Sequence, residues 1–383
     1  MNIYLDNAAS APMDREVLDV MLPYFCDTTG NPSSIHLNGR VLRTAIEKSR
    51  KIIATLIGAV PAEICFTGGG TEADNTILYG VVEKYGITHI ISTTIEHHAV
   101  THTIEDLEKK GKVKATWLSV DNKGNINLAE LEEVLAKSPR SLVSLMHANN
   151  EIGTMIDLVA VGEVCKKYDA LFHSDTVQTM GHFKFDLYNT NVHYITGAAH
   201  KFYGPKGVGF MYVKSGFPIP AMIHGGSQER NMRAGTENVA GIVGMAYALE
   251  KCYNTLAEKT EKLLSLKNYM KEQLALHIPN VHFNGEVSPE KSIPTVLNVA
   301  FDCGEEDAML IFYLDIKGIS ASGGSACTSG SDIGSHVLAA LGLPPSLGRN
   351  AVRFSFGVQN TKEEIDFTIQ QLKEILKVGA INA

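Results

Sequence analysis

The chain has 383 residues, 44% of them apolar, and a formal net charge of −8 at pH 7. That length suits one large domain plus a smaller one, and the lack of a basic block argues against direct nucleic-acid binding. No apolar run reaches membrane-spanning length, the first residues lack a signal-peptide pattern, and the six cysteines are scattered. These features predict a reduced, cytoplasmic protein with no membrane partner.

Apolar strand-like runs alternate with helical segments through the first half of the chain. The first helices are predicted at residues 14–25 and 39–58. Strands are then predicted at residues 63–67, 89–94, 115–121, 141–147, 170–174, 192–196 and 207–213. Helices connect most of these strands, which predicts an α/β fold with a mainly parallel sheet.

A glycine-rich turn, Gly68-Gly69-Gly70-Thr71, stands between the first of these strands and the helix that follows it. Such a turn presents backbone N–H groups at a helix N-terminus, where an anion is attracted. No lysine follows the glycines, and the spacing is not that of a dinucleotide site. The turn therefore favours a single phosphate, with a plain tight turn as the alternative.

Polar residues follow the C-terminal ends of five of the predicted strands. These residues are Thr71, His97, Asn150, Asp175 and Lys201. Ligands of open α/β sheets bind at that edge of the sheet. Each residue alone has a structural explanation, but five at corresponding places predict one shared site.

Lys201 lies in the stretch NVHYITGAAHKFYGPKGVG, where small residues leave room for a planar ligand beside its amine. A desolvated lysine amine is a usable nucleophile toward a carbonyl, whereas the alternative is a solvated lysine on a hairpin. His97 could lie flat on a ring or cap a helix. His98 and His102 stand one helical turn apart without an obvious third ligand, so we expect no metal site.

The last third of the sequence predicts a compact α+β unit after a mostly helical region at residues 238–276. Strands are predicted there at residues 281–283, 296–301 and 352–356, and helices at 305–314 and 362–378. We accordingly expect a large α/β domain, residues 14–255. A smaller α+β domain would consist of residues 1–13 and 256–383.

A thiol and an arginine in this last part occupy unusual settings. Cys327 lies in the loop SASGGSACTSGS, where a cysteine has no packing role, so reactivity is the better account of it. Arg353 lies between apolar residues in a predicted strand, where an unpaired charge is costly. Either an internal acid or a ligand carboxylate must therefore pair with Arg353.

These residues together fit one cofactor, pyridoxal 5′-phosphate. The Lys201 amine can form a Schiff base, Asp175 can hold a proton on the ring nitrogen, and the glycine-rich turn can hold one phosphate. Gln178 could bond the ring hydroxyl, and His97 could stack on the ring face. Arg353 would then bind the carboxylate of an amino acid.

With these motifs the chain resembles the NifS/IscS-type cysteine desulfurases, in the class-V aminotransferase branch of fold-type-I pyridoxal-phosphate enzymes. The resemblance runs nearly from end to end. It is carried by YLDNAAS, NPSSIH, TGGGTEADN, EHHAV, NNEIG, HSDTVQ, AAHKFYGPKGVG, RAGTEN, GSACTSG and VRFSFG.

The resemblance implies that L-cysteine is converted to L-alanine, with its sulfur left as a persulfide on Cys327. Lys201, Cys327 and His97 would be catalytic, and Asn150 and Arg353 would hold the substrate carboxylate. The implied cofactor-binding residues are Gly70, Thr71, His97, Asn150, Asp175, Gln178, His200, Lys201 and, across a homodimer interface, Thr236. The sulfur would pass to an acceptor such as an iron–sulfur scaffold or a tRNA-thiolation protein.

Some positions depart from the family pattern. Ala198 stands where relatives often place a phosphate-binding serine, and Gly323-Gly324 and Asp332-Ile333-Gly334 also differ, so the sulfur acceptor stays open. Two alternatives keep the cofactor. One is a selenocysteine lyase or another β-eliminating or transaminating enzyme, and the other is a non-catalytic cofactor-binding regulator.

Overall fold

Two larger sheets and one short ladder organise the part of the chain that the computed structural model describes, residues 2–302, 309–323 and 334–376. In chain order the strands are β1 Ile3–Tyr4, β2 Ile64–Thr67, β3 His89–Thr93, β4 Lys114–Leu118, β5 Leu142–Ser144, β6 Leu171–Asp175, β7 Tyr194–Ala198, β8 Gly209–Val213, β9 Val281–Asn284, β10 Val296–Phe301, β11 Ile319–Ser320 and β12 Ala351–Ser355.

The larger sheet has seven strands in the order β2-β8-β7-β6-β5-β3-β4. Strands β3 to β7 pair in parallel, and β8 runs antiparallel to both of its neighbours. All residues of β3, β5, β6 and β7 are buried, as expected for parallel strands that are covered on both faces. The predicted α/β class with a mainly parallel sheet is confirmed.

Helices cover both faces of this sheet. In chain order the helices are α1 Arg15–Cys26, α2 Leu37–Leu56, α3 Gly70–Tyr85, α4 His98–Lys109, α5 Leu128–Lys137, α6 Leu158–Lys167, α7 Val239–Asn254, α8 Leu256–His277, α9 Leu310–Ile316, α10 His336–Ala340, α11 Pro345–Arg349 and α12 Lys362–Ile375. Apolar side chains of α1, α2 and α5 to α7 pack on one face, and those of α3 and α4 pack on the other. Within the described ranges, no helix combines the length and apolar content that crossing a bilayer requires.

The smaller sheet is antiparallel, with the order β12-β10-β9, and packs against α8 and α12. Next to it, β1 pairs in parallel with β11, so that Ile3 lies opposite Ile319. The first strand of the chain therefore belongs with its C-terminal part. We propose domain boundaries on this basis, a large domain of residues 14–255 and a small domain of residues 1–13 and 256–383.

The helical region predicted at residues 238–276 is two helices, because the regular helical conformation is interrupted at Thr255. This residue ends α7 and precedes α8, with φ −109° and ψ 16°. Its hydroxyl donates to the backbone oxygen of Lys251 at 3.0 Å. A threonine hydroxyl that bonds back to the preceding turn competes with regular helix continuation. Of the helix predicted at residues 305–314, residues 305–308 lie outside the described ranges.

Candidate active site

The C-terminal ends of β2, β3, β5, β6 and β7 surround a cavity of about 270 Å³. Most of the predicted site residues line it, namely Gly70, Thr71, His97, Asn150, Asp175, Gln178, His200, Lys201 and Arg353. The five strand-end residues singled out in the sequence thus meet in one place. The parallel strands bring them there because their carboxyl ends share one edge of the sheet.

Lys201 reaches the cavity from a short 3₁₀ turn, Ala199–Lys201, that directly follows β7. Its Nζ donates to the backbone oxygen of Ala8 and, at 2.9 Å, to that of Ala9. Gln178 bonds the same segment, since its Nε2 donates to the Ala8 oxygen at 3.1 Å. The segment before α1 therefore positions both side chains at the cavity wall.

Asp175 is the last residue of β6 and is buried. Its Oδ1 accepts a hydrogen bond from the backbone N–H of Val177 at 2.8 Å. Burial, and next the nearby Asp74 carboxyl, raise the pKa of Asp175 to about 7. A buried carboxyl whose pKa is raised interacts favourably with a cation, because a positive charge beside it offsets the cost of its ionisation.

The N-terminus of α3 lies at one end of the cavity, where an anion could bind. Gly69 caps this helix with φ 156° and no side-chain hydrogen bond, so the first N–H groups of α3 point outward without a capping side chain. A methyl group on Gly70 would lie 2.9 Å from a Val177 methyl. His200 lines the same cavity, and burial together with Lys201 lowers its pKa to about 4.

His97 has the capping role considered from the sequence and also borders the cavity. It caps α4, because its Nδ1 accepts from the backbone N–H of Ala99 at 3.1 Å, and it also lines the cavity. Burial, followed by the charge of Lys201, lowers the pKa of His97 to about 4. The ring is therefore neutral at pH 7, and with Nδ1 as acceptor its proton lies on Nε2. Stacking of His97 on a cofactor ring stays a prediction.

Arg353 lies in β12 and is only 2% exposed. Its Nη2 donates to Oδ1 of Asp6 at 2.8 Å, and its Nη1 donates to the backbone oxygen of Asn150 at 3.0 Å. Within the described residues, its Nε has no hydrogen-bond partner. The internal acid considered from the sequence is thus present, and the guanidinium still borders the cavity.

Two predicted residues are not among the described residues that line this cavity. Thr236 lines a separate cavity of about 100 Å³ together with Gly68 and Gly207. Cys327 lies outside the described residues. The structure therefore places neither residue at the site formed by Lys201.

The described residues on either side of Cys327 lie beside the cavity. Before it, Ser322 exchanges two backbone hydrogen bonds with Arg353, at 3.3 and 2.7 Å. After it, Ser335 donates from its hydroxyl to the buried carboxylate of Glu151, the neighbour of Asn150. Ser322 thus contacts one site residue, Arg353, and Ser335 contacts the sequence neighbour of another, Asn150.

Sequence reasoning missed two acids of this region. Asp74 lines the cavity at 1% exposure, four residues after Gly70 on the same helix. That spacing places both residues on one face of α3, a signal that could have identified Asp74. Asp6 pairs with Arg353 from 347 positions away, and no local pattern indicates such a pairing.

The arrangement fits pyridoxal 5′-phosphate. A helix N-terminus can hold its phosphate, a buried carboxyl with a raised pKa can face its ring nitrogen, and an amine lies at the same cavity. Ala198, which also lines the cavity, offers no hydroxyl to the phosphate. The fold and the site thus define a pyridoxal-phosphate enzyme of fold type I.

Comparisons with known proteins agree with this class. The aminotransferase class-V model matches residues 3–367. The chain is 42% identical to the cysteine desulfurase IscS of Dictyoglomus turgidum, over 98% of this chain and 94% of that protein. The chain belongs to the class-V aminotransferase family.

Solved structures of this family have the same fold. A NifS-like protein superimposes with a TM-score of 0.91 at 37% identity, covering 98% of this chain and all of that one. SspA in complex with cysteine gives a TM-score of 0.82 at 32% identity, covering 92% of this chain and 98% of that one.

Proposed function

We propose that this protein is a pyridoxal-phosphate-dependent cysteine desulfurase. The observation that carries the proposal is the shared cavity of Lys201, Asp175, Arg353 and the α3 N-terminus, with the described flanks of the Cys327 segment beside it. The relatives named as cysteine desulfurases and the neighbour solved with cysteine support the same reaction and substrate.

L-cysteine is the proposed substrate, and Arg353 and Asn150 are the proposed carboxylate-binding residues. Arg353 is held by Asp6 and by the Asn150 backbone, so its planar group is fixed in orientation before a substrate arrives. A guanidinium binds a carboxylate through two parallel hydrogen bonds, which also orients the rest of the substrate.

The remaining residues hold the cofactor and move protons. Bound pyridoxal phosphate supplies a ring that withdraws electrons from the substrate amine. We assign Gly70, Thr71 and His200 to its phosphate, Asp175 to its ring nitrogen and Gln178 to its ring hydroxyl. His97 would cover the ring face. Lys201 would bind the cofactor covalently and, when released, take the proton from the substrate α-carbon at Nζ.

Cys327 is the proposed sulfur acceptor. Its thiolate attacks the substrate sulfur, so a sulfur–sulfur bond forms as the carbon–sulfur bond breaks. The electron pair of the broken bond stays with the substrate β-carbon, which takes a proton. The products are L-alanine and a persulfide on Cys327, and no external oxidant or reductant is needed.

The Cys327→Ala variant tests this function. It should bind the cofactor as the unchanged protein does and give no persulfide, because the attacking thiol is absent. Mass spectrometry after mixing with L-cysteine should show one added sulfur on Cys327 of the unchanged protein, together with L-alanine in solution. Full sulfur transfer by the variant would reject the role of Cys327. Equal release of selenium from selenocysteine with and without Cys327 would favour a lyase.

We also propose a homodimer in which Thr236 completes the phosphate site of the other subunit. In support, Thr236 lies outside the cavity of its own chain. Apolar side chains around α1 and α2 are also exposed, as is typical of an interface; they are Phe25, Ile35, Leu37 and Val41.

Substitution of Thr236 tests the dimer. Thr236→Val should weaken cofactor binding by about tenfold, since one hydrogen bond to a charged phosphate is lost, and Thr236→Ser should restore it. Cofactor titration of both variants measures the contribution of Thr236 to cofactor binding. Light scattering of the unchanged protein measures whether it is a dimer. A monomer that binds cofactor equally well with valine would contradict the proposal.

The sulfur left on Cys327 must be passed on before the next turnover, so the proposed reaction needs a sulfur acceptor. We propose an iron–sulfur scaffold or a tRNA-thiolation protein as that acceptor. A cytoplasmic location is proposed from the cysteines, since Cys26, Cys65, Cys165 and Cys252 are free thiols.

A further inference from the structure

A second buried carboxyl, that of Asp74, lies in the active-site cavity beside Asp175. Asp74 belongs to α3, the same helix whose N-terminus lies at one end of the cavity. Its Oδ1 is buried and accepts no hydrogen bond of regular geometry within the described residues, although a hydrogen bond from the Thr196 side chain reaches the carboxyl and opposes the effect of burial on its pKa. A buried carboxyl oxygen without a good hydrogen bond costs folding free energy. Its presence at a ligand cavity therefore calls for a functional explanation.

Asp74 is backed by a neutral polar network rather than by a cation. Nε2 of His173 lies 3.4 Å from its Oδ1 and 3.3 Å from Oγ1 of Thr196. Nδ1 of His173 lies 2.9 Å from Oγ of Ser144. His173, Thr196 and Ser144 are fully buried, and burial lowers the pKa of His173 to about 4. The network can therefore orient Asp74 but cannot neutralise it.

The two carboxyls influence one another. Asp74 is among the causes that raise the pKa of Asp175, and burial raises the pKa of Asp74 itself to about 7. The other titratable groups that act on this pair are Lys201, His173 and Glu96. Burial disfavours the charged form of both His173 and Glu96. A cation that enters next to Asp175 would thus add to the weaker effect of Lys201 and favour ionisation of both acids.

We propose that Asp74 is a positioning residue whose carboxylate adds a second negative charge behind Asp175 and so helps to hold the proton on the cofactor ring nitrogen. This inference rests on the proposed role of Asp175. His173 and Thr196 keep the Asp74 carboxyl in place. Asp175, and not Asp74, would contact the ring nitrogen directly.

Asp74→Asn provides the test, because the amide has the shape of the protonated acid and carries no charge at any pH. Pyridoxal phosphate is titrated into the cofactor-free proteins between pH 5.5 and 8.5. Affinities of variant and unchanged protein should agree within about twofold at pH 5.5, where Asp74 is protonated. At pH 8.5 the variant should bind about tenfold more weakly, which corresponds to a shift of about one pKa unit between free and bound states.

The melting temperature of the cofactor-free protein gives a second readout. The folded-state pKa of Asp74 lies above its unfolded value, so its contribution to stability is fully present below about pH 4 and is lost as the pH rises from there to about 7. Asp74→Asn removes that loss. The variant should therefore melt higher than the unchanged protein at pH 8.5 although it binds the cofactor more weakly.

Matched controls separate charge from structure. Glu63→Gln changes a buried carboxyl before β2 that accepts from the backbone N–H groups of Val60 and Ser215 and does not line the cavity. It should show no pH-dependent difference in affinity, whereas Asp74→Glu should keep the pH dependence. If Asp74→Asn does not fold, Asp74→Ser gives the same comparison.

Identical affinity curves, or a difference that is constant with pH, would overturn the proposal. A failure of the desulfurase assignment would leave these binding curves unchanged and would appear in the alanine and persulfide assays. A failure of the Asp175 role would appear separately, as Asp175→Asn binding the cofactor normally.

Discussion

Replacing Lys201 by alanine is expected to lower desulfurase turnover by at least about 10⁴-fold, since one amine serves both as covalent attachment point and as the base at the α-carbon. The structure supports this double role because Nζ lies at the cavity wall, within hydrogen-bond distance of the Ala8 and Ala9 carbonyls. The variant should still bind the cofactor through the α3 N-terminus and Asp175. Borohydride reduction followed by peptide mass spectrometry should find no cofactor bound at position 201.

Lys201→Arg is the matched variant. A guanidinium retains the positive charge and the ability to donate to both carbonyls, but it does not form an imine. Its turnover should be as low as that of the alanine variant, while its melting temperature stays close to that of the unchanged protein. Substantial activity in either variant would place the reactive amine elsewhere.

Substituting Arg353 is expected to have the second largest effect. Arg353→Leu should lower kcat/KM for L-cysteine by about 10²- to 10³-fold, because charge-assisted hydrogen bonds to a carboxylate are lost. The change also leaves the partly exposed Asp6 without its ion-pair partner, which adds repulsion toward a substrate carboxylate. Steady-state kinetics of alanine formation would measure the effect.

Cysteamine, which is cysteine without its carboxylate, supplies the control on the substrate side. If Arg353 acts through the carboxylate, the unchanged protein and Arg353→Leu should process cysteamine at similar low rates. Asp6→Asn with cysteine tests whether the internal acid merely holds the arginine. A loss with cysteamine as large as that with cysteine would show that the substitution damages the site in general.

The sequence could predict the α/β class and most of the site because the relevant signals are local. Buried parallel strands are short apolar runs, and in such a fold the residue that follows each run reaches the ligand edge. His97, Asp175 and Lys201 are all placed by that rule. Their roles came from combining residue types that match one cofactor, which no single position indicates.

Other features depend on tertiary contacts that the local pattern does not contain. Asp74 shares a helix face with Gly70, but its burial follows from the strands packed beside α3, which the helix pattern alone does not show. The partner of Arg353 could not be chosen from the sequence, because Asp6 reaches it through a bridge to Ser355 of β12, which is 349 positions away along the chain. Threonine also occurs inside helices, so the sequence does not predict the interruption between α7 and α8 at Thr255.

The pairing of β1 with β11 also constrains the order of events during synthesis. The segment that contacts Lys201, Gln178 and Arg353 is synthesised more than three hundred residues before the strand that pairs with β1. A nascent chain can form the seven-stranded sheet first, but closing this loop is slow and comes late. We therefore expect cofactor binding to come after β11 has left the ribosome and paired with β1.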